Sequence, residues 1–219
     1  MEFDEVVRRR RMVRGYDPDR PIPPDLVEKI IKHGLRAPSA GFSQGWSFLV
    51  LTSPEDRELF WATTVEGEGP VEGWLARMRT APLIIVPFSN KSVYLDRYAE
   101  SDKGWTDRDE SRWPVPYWDI DTGFAALLMH LTAVNEDLGS CFIGLPAGKI
   151  TAVKDAFGVP AEFSPIGALT VGYRGADKRS PSLRRGHRPV ADVVHHGRWA
   201  SATSEASEAS AGGVRPARG

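Results

Sequence analysis

The amino-acid sequence predicts an α+β fold, in which helices pack on a central mixed sheet of about four to five strands. Apolar runs of strand length occur at 47–52, 82–87, 140–143 and 165–173. Longer segments repeat apolar residues at helical spacing, most clearly at 24–37 and 119–138. Strands and helices do not alternate strictly, which favours α+β over a doubly wound parallel sheet.

The first third of the chain predicts helices on either side of the first strand. In order, we expect helices over 3–11, 24–37 and 53–64, followed over 65–79 by a loop and a helix that holds Trp74, Leu75 and Met78. Pro24 opens the second helix at a position where its missing N–H costs little. Ser53 is a candidate N-cap with acidic residues in the turn that follows it.

The segment 90–117 is long, polar and rich in aromatic residues. We expect it to lack regular structure. A segment of this kind inside a domain is typically a lid or a binding loop. The alternative is a surface excursion with incidental aromatic side chains.

The segment 119–138 is the clearest helix. Its apolar residues extend most of the way round the helix, which is typical of a helix buried at the centre of a fold. Gly139 ends it, and a strand, a helix over 150–157 and the last strand follow.

The composition changes after the last strand. Residues 174–199 form a basic arm that also carries Val190, Val193, Val194 and Trp199. These apolar side chains need a surface to cover them, and a partner subunit is one answer. Residues 200–219 are low in complexity and are expected to be disordered. The expected organisation is one domain over 1–199, with an insert at 90–117, the arm at 174–199 and the tail.

Composition narrows the class of partner. The 219 residues include 28 Lys and Arg against 29 Asp and Glu, without the basic excess typical of nucleic-acid-binding domains. No apolar run is long enough to span a membrane. The single cysteine, Cys141, excludes a disulfide within the chain and favours a reducing compartment. We expect a cytoplasmic protein with neither nucleic acid nor membrane as partner.

Residues 37–46 (APSAGFSQGW) connect a predicted helix to a predicted strand. Their small side chains let the backbone approach a flat or charged ligand, and Gln44 adds a donor and an acceptor. A plain connector rich in Gly and Ser is the alternative.

Two basic clusters could meet on a phosphate, since arginine matches phosphate oxygens with a planar fork. The first comprises Arg10, Arg11 and Arg14, and the second Arg184, Arg185, His187 and Arg188. Solvated basic patches are the alternative for each cluster.

Other chemistry is poorly represented. The usual glycine-rich phosphate loops and the G-x-S-x-G nucleophile motif are absent from the sequence, and no histidine has the spacing of a metal ligand. His130 and Cys141 are better explained as core residues. If the protein is an enzyme, a cofactor rather than a side chain carries the reaction.

Four motifs occur along the chain at residues 10–16, 37–48, 121–125 with 138–144, and 185–190. Together they resemble the FMN-dependent nitroreductase family. Residues 10–16 (RRMVRGY) are similar to the family opening Arg-Arg-Ser-Val/Ile-Arg-x-Phe. Residues 37–48 (APSAGFSQGWSF) are similar to Ala-Pro-Ser-x-x-Asn-x-Gln-Pro-Trp-x-Phe. Residues 121–125 with 138–144 resemble the central helix and following strand, and 185–190 (RGHRPV) resemble the basic–Pro–aliphatic terminus. Together the motifs cover roughly residues 3–199 in the family order.

The resemblance implies an intertwined homodimer with exchanged C-terminal arms and two FMN sites at the interface. The implied phosphate ligands are Arg10, Arg11, Met12 (through its backbone) and Arg14, with Arg185 and His187 or Arg188. Pro38, Ser39 and Ala40, with Gln44 nearby, would meet the flavin edge from the partner subunit. Backbone groups of Ile143 and Gly144 would face the ring. No metal and no catalytic side chain are implied.

Three residues depart from the family pattern. Met12 stands where the family often has Ser, and His187 where Arg or Lys is usual. Phe42 stands where Asn is common, so a polar contact to the flavin is lost, is taken over by Gln44, or is replaced by an apolar wall.

The implied activity is ping-pong hydride transfer from NAD(P)H through FMN to an electron-poor acceptor such as a nitroaromatic or a quinone. The expected acceptor pocket contains Phe42, Trp105, Trp113, Tyr117 and Trp118. Reductive dehalogenation or flavin fragmentation on the same fold is an alternative. The segment 65–79 has Glu66, Glu68 and Glu72 but neither the Tyr nor the Lys of the dehalogenase branch. A flavin-storage protein without turnover is a further alternative.

Overall fold

The computed structural model describes residues 1–65, 73–177 and 180–199. The chain divides into two units, Met1–Lys178 and Arg179–Gly219, and each is described by itself. The tail over 200–219 and the residues Glu66, Glu68 and Glu72 lie outside the described residues.

A five-stranded sheet forms the centre of the first unit. Its strands are β1 (Trp46–Leu51), β2 (Leu83–Asn90), β3 (Gly139–Ile143), β4 (Phe163–Pro165) and β5 (Ala168–Gly172). The order across the sheet is β1-β2-β5-β3, with β4 paired to β2, and these strands pair antiparallel. The five strands thus form an antiparallel sheet where the sequence predicted a mixed one, and the parallel pairing of Met12 with Ser140 of β3 is an isolated bridge.

Helices surround the sheet. In the described residues they are α1 (Phe3–Arg9), α2 (Pro24–Gly34), α3 (Pro54–Thr64), α4 (Gly73–Met78), α5 (Lys91–Ala99), α6 (Tyr117–Asn135) and α7 (Ile150–Ala156). Pro24 occupies the first position of α2. The Ser53 hydroxyl accepts the Asp56 N–H at 3.0 Å, which is the predicted cap of α3.

Both faces of the sheet are buried, as the alternation along β2 shows. Ile84 and Val86 pack on one side and Leu83 and Ile85 on the other. The first side also holds Phe60, Trp61 and Met78, and the second holds Ile30, Met129 and Ala133. Thus α3 and α4 cover one face, and α2 and α6 cover the other.

The prediction that 90–117 lacks regular structure is wrong for its first part, which forms α5. Asn90 caps this helix by accepting the Ser92 N–H at 2.9 Å. Tyr94 is fully buried. Burial of this one aromatic side chain favours an ordered helix despite the polar residues around it. The short strand β4 was not predicted, because three residues carry too little pattern to recognise.

In the described ranges, no helix combines the length and apolar character that a membrane crossing requires.

Candidate functional site

The first group of predicted phosphate ligands lies on an extended segment beside β3. Met12 bridges to Ser140, and the Val13 N–H donates to the Ser140 carbonyl at 2.9 Å. Val13 is fully buried, whereas Met12 is 37% exposed. Arg10 and Arg14 lie two residues to either side of Met12, the spacing at which side chains of an extended segment share one side.

Arg11 was predicted to bind the phosphate, but in the structure its side chain pairs with Asp177. Its Nη1 donates to Asp177 Oδ2 at 2.6 Å, and the same carboxylate accepts the backbone N–H of Arg14 at 3.1 Å. The Asp177 side chain is only 2% exposed, so it needs these donors in place of water. Arg11 therefore neutralises Asp177 and ties the segment to the chain that follows β5.

Arg10 and Arg14 keep uncompensated charges. Among the residues that the structure describes, no carboxylate forms an ion pair with either guanidinium. Their fields reach the buried groups beside β3. Burial lowers the pKa of His130 to about 4, and the positive charge of Arg10 adds to that effect. An anion is the ligand that this edge of the sheet favours.

The turn before β1 has an unusual backbone. The φ angles of Gly41, Phe42 and Gln44 are +59°, +56° and +52°. The left-handed conformation costs a non-glycine residue about 1 to 2 kcal/mol. Ser39 Oγ accepts the Gln44 N–H at 3.0 Å, and Ser43 Oγ donates to the Ala40 carbonyl at 2.7 Å. The turn is therefore a built structure rather than a plain connector, and it leaves Phe42 74% exposed at its tip.

Three side chains from α5 and α6 hold this turn. Asp121 Oδ2 accepts both the Ala40 N–H at 2.8 Å and the Tyr94 hydroxyl at 2.9 Å. Arg97 Nε donates to the Gly41 carbonyl at 2.9 Å. Burial raises the pKa of Tyr94 well above its usual value, and the hydrogen bond to Asp121 adds to this, so the phenol stays a donor. Asp121, Tyr94 and Arg97 are named the turn clamp below.

The turn and the arginine segment lie at opposite edges of the sheet. The turn leads into β1 at one edge, and the arginine segment runs beside β3 at the other. Strands β2, β5 and β3 lie between β1 and the arginine segment, so the two are roughly 19 Å apart at about 4.8 Å per strand. One subunit does not bring the two predicted halves of the site together.

Backbone is accessible at the end of β3. Ile143 pairs with Ala168 at the last position of the strand, and Gly144 follows it in an exposed position. A Cβ added to Gly144 would meet nothing within 4 Å. The main chain at 143–144 is therefore accessible, and its contact with a flavin ring stays a prediction.

The aromatic residues predicted to line an acceptor pocket mostly pack against one another. Trp113 is the centre of the group, with ring centroids 4.6 Å from Tyr98, 5.6 Å from Trp105 and 5.7 Å from Tyr117. Trp118 lies 6.1 Å from Trp113. These rings form a small core of their own, and Phe42 is the most exposed of the predicted pocket residues.

The second basic cluster belongs to the second unit. Arg185 ends a short 3₁₀ helix, Pro181–Arg185, and His187 and Arg188 follow it in exposed positions. Arg188 Nη2 donates to the Asp192 carbonyl at 3.0 Å. Their convergence with Arg10 and Arg14 stays a prediction.

Sequence reasoning missed the residues that support these groups. Asp177 and the three members of the turn clamp were not predicted to have a role of their own. A carboxylate inside the apolar segment 119–138 was a usable signal for Asp121, because a buried charge requires partners. Asp177 and Arg97 sit among other charged residues and carry no comparable signal.

No three His, Cys, Asp or Glu side chains are grouped as a metal site within the part of the chain that the structure describes.

The profile of the nitroreductase family matches residues 7–173. The chain belongs to the nitroreductase family. This confirms the predicted family and α+β fold, and it makes the protein an enzyme of the NAD(P)H- and FMN-dependent oxidoreductase class.

Individual relatives of this nitroreductase-family protein are distant but span almost the whole chain. A Methanothermobacter thermautotrophicus protein is 24% identical over 91% of this chain and 88% of its own length; its name joins NADH dehydrogenase with NAD(P)H nitroreductase. A nitroreductase family protein of Clostridium difficile 630 shares the fold with a TM-score of 0.68, at 22% identity, over 91% of this chain and 100% of its own. An FMN-dependent nitroreductase of Clostridium difficile R20291 gives a TM-score of 0.64 at 22% identity, over 89% and 98% of the two chains.

Proposed function

We propose that the protein is a homodimeric FMN-containing oxidoreductase that passes electrons from NAD(P)H to a planar, electron-poor acceptor such as a nitroaromatic or a quinone. The observation that carries this proposal is the uncompensated pair Arg10 and Arg14, which lies beside β3 within the family-matched region. A ribityl phosphate is the anion that this pair would hold.

The residues present fit the phosphate end of FMN. Arg10 and Arg14 supply charge, and the Met12 backbone N–H is the donor in place of the hydroxyl that the family often has. Arg185 and His187 or Arg188 would complete the group from the arm. Asp177 holds the segment in register by accepting the Arg14 N–H at 3.1 Å.

The ring end of the site requires a second copy of the chain. Pro38, Ser39, Ala40 and Gln44 lie at the edge of the sheet opposite Arg14, so we assign them to the site of the partner subunit. Ile143 and Gly144 would present backbone to the ring from the same subunit as the arginines. A two-fold dimer places each turn at the other subunit's β3 edge.

A surface suited to such a dimer runs along α6. Tyr117, Phe124 and Leu127 are 37%, 44% and 48% exposed. Ile120, between Tyr117 and Phe124, and Leu131, one turn after Leu127, are half-buried. The intervals of three and four residues place these five side chains in one stripe, as at the seam of paired helices. The exposed Val190, Val193 and Trp199 of the arm would add area by crossing to the partner.

Bound in this site, FMN supplies two-electron chemistry that links NAD(P)H oxidation to reduction of the acceptor. The chain's own residues bind the phosphate, orient the ring edge and exclude water from the interface. Phe42 offers an exposed aromatic face to the acceptor, while the group around Trp105, Trp113, Tyr117 and Trp118 supports the wall. The free, buried thiol of Cys141 agrees with the reducing cytoplasm that we propose as its location.

The visible spectrum tests the proposal directly. The purified protein should show a flavin absorption band that bleaches on anaerobic addition of NADPH or NADH and returns with a nitroaromatic. A colourless protein that takes up no added FMN would contradict the proposal. A flavin band that neither nucleotide bleaches would instead favour the flavin-storage alternative.

Arg14→Ala should weaken FMN binding by about 10- to 100-fold, since a charge-assisted hydrogen bond contributes about 1.5 to 3 kcal/mol. The measurement is FMN affinity by fluorescence quenching. Arg8→Ala is the matched control, because the Arg8 side chain is 74% exposed and pairs only with Glu5 one turn away. Equal affinities in the two variants would remove Arg14 from the phosphate site.

A further inference from the structure

We propose that the turn clamp of Asp121, Tyr94 and Arg97 is a positioning device that holds the turn over 39–44, and Phe42 at its tip, in the pose that receives a planar, electron-poor acceptor. This inference rests on the proposed function, and it assigns the roles of three residues that do not themselves touch the flavin or the acceptor.

The turn is held by its own hydrogen bonds through Ser39 and Ser43 and also by side chains from outside it. Three of its residues have left-handed backbone, and two of them, Phe42 and Gln44, carry side chains. Such a conformation persists where the surroundings over-determine it. Phe42 is 74% exposed, so packing of its own ring does not fix it.

The clamp adds a constraint from two helices at once. One oxygen of Asp121 accepts two donors, the Ala40 N–H and the Tyr94 hydroxyl, at 2.8 and 2.9 Å. Asp121 is 3% exposed and Tyr94 is fully buried. Hydrogen bonds to a charged acceptor are strong in such surroundings, because little water competes for them.

Arg97 holds the next residue of the turn and is itself held. Its Nε donates to the Gly41 carbonyl at 2.9 Å, while Nη1 and Nη2 reach the two Asp102 oxygens at 2.7 and 2.8 Å. A bidentate pair of this kind fixes the plane of the guanidinium. The donor to the turn is therefore pre-oriented.

Aromatic rings close the remaining space behind the turn. A Cβ added to Gly41 would lie 2.7 Å from the Tyr98 ring, and one added to Gly45 would lie 2.6 Å from the Tyr94 ring. The backbone thus rests directly on these rings. Residues of the segment 90–117, which was predicted to be a lid or a binding loop, therefore support the turn.

The clamp also links the turn to the proposed dimer surface. Asp121 lies on α6 one turn before Phe124, whose side chain belongs to the exposed stripe. A shift of α6 at the interface would therefore be transmitted to Ala40 through a single buried carboxylate.

Amide exchange tests the clamp without any assumption about activity. In the full-length protein, the Ala40 amide should exchange at least tenfold faster in Asp121→Ala than in the wild type, measured by NMR. Asp121→Asn should keep slow exchange, because its amide oxygen can still accept both donors. Unchanged Ala40 exchange in Asp121→Ala and in Arg97→Ala would overturn the clamp.

Kinetics with two acceptors test the positioning role. For the FMN-loaded enzyme, Arg97→Ala and Asp121→Ala should raise the KM for 1,4-benzoquinone about tenfold. Turnover with ferricyanide, a small acceptor that does not stack on a ring, should stay within twofold. Asp121→Asn should restore the benzoquinone KM. Arg108→Ala is the control, since Arg108 belongs to the same segment but pairs with Asp96 at the surface.

The outcomes separate this inference from the proposed function. Faster Ala40 exchange with the same change for both acceptors would mean that the clamp only stabilises the fold, which overturns the positioning role. Should Asp121→Ala fail to fold, the Arg97→Ala comparison decides the matter, because the Arg97 side chain is 25% exposed and its removal disturbs the core less. A wild-type protein that binds no FMN would overturn the positioning role together with the proposed function, and amide exchange would still decide the clamp.

Discussion

Replacing Leu127 with glutamate should convert the protein into a monomer that retains little FMN. Leu127 is 48% exposed in the subunit and lies in the middle of the α6 stripe. Burying the exposed half of the leucine side chain contributes about 1 kcal/mol, burying the new carboxylate in its place costs at least about 1 kcal/mol more, and two-fold symmetry counts both effects twice. The loss of about 4 kcal/mol corresponds to roughly 1,000-fold in the dissociation constant of the dimer. Analytical ultracentrifugation and the flavin absorbance of the purified protein give the two readouts.

The same exchange at Leu59 provides the control. Leu59 is 40% exposed on α3, so its replacement adds the same charge to a comparable surface away from α6. Leu59→Glu should remain dimeric and yellow. A dimeric Leu127→Glu protein would exclude the α6 stripe as the interface. A monomeric Leu127→Glu protein with full flavin content would show that one subunit suffices for FMN binding.

Local signals made most helices and strands predictable. Ser53 caps α3 and Pro24 opens α2, because each satisfies a requirement of the first helical turn that depends on neighbouring residues only. The apolar repeat over 119–138 was also a local signal, and it corresponds to α6 in the structure. The prediction for 90–117 failed because α5 depends on Tyr94, whose burial is decided by distant residues.

The candidate site was predictable in its residue types but not in its pairings. Arg11 and Arg14 look equivalent in the sequence. In the structure Asp177, more than 160 positions away, accepts hydrogen bonds from the side chain of Arg11 and from the backbone N–H of Arg14. The bond between Ala40 and Asp121 likewise spans 81 positions. Contacts of this length depend on the register of strands that the local pattern does not specify. The location of the turn and the arginines at opposite sheet edges became visible only with the strand order.

Acid should destabilise the protein through His130. This residue of α6 is 3% exposed, and its Nδ1 lies 2.6 Å from Ser140 Oγ. Nε2 is buried without a partner among the described residues. Burial, aided by the charge of Arg10, lowers the pKa of His130 to about 4, against 6.5 for an ordinary histidine. Between these values the unfolded chain binds a proton that the folded protein does not, so stability falls as the pH falls. The expected loss from pH 7.5 to pH 4.5 is about 2 to 3 kcal/mol.

Urea unfolding at the two pH values measures this loss, and variants isolate its origin. Other groups also titrate in this range, so the decisive quantity is the difference between the wild type and His130→Gln, whose free energy of unfolding should change about 2 to 3 kcal/mol less with pH. His33→Gln is the control, since His33 also bonds to a hydroxyl, Thr132 Oγ1 at 2.8 Å, but is exposed. Parallel curves for the wild type and His130→Gln would contradict the assignment.

Because Arg10 contributes to the lowered pKa of His130, Arg10→Ala should reduce the acid sensitivity in the same direction by a smaller amount. That result would also show that the field of Arg10 reaches the interior beside β3, where we place the phosphate.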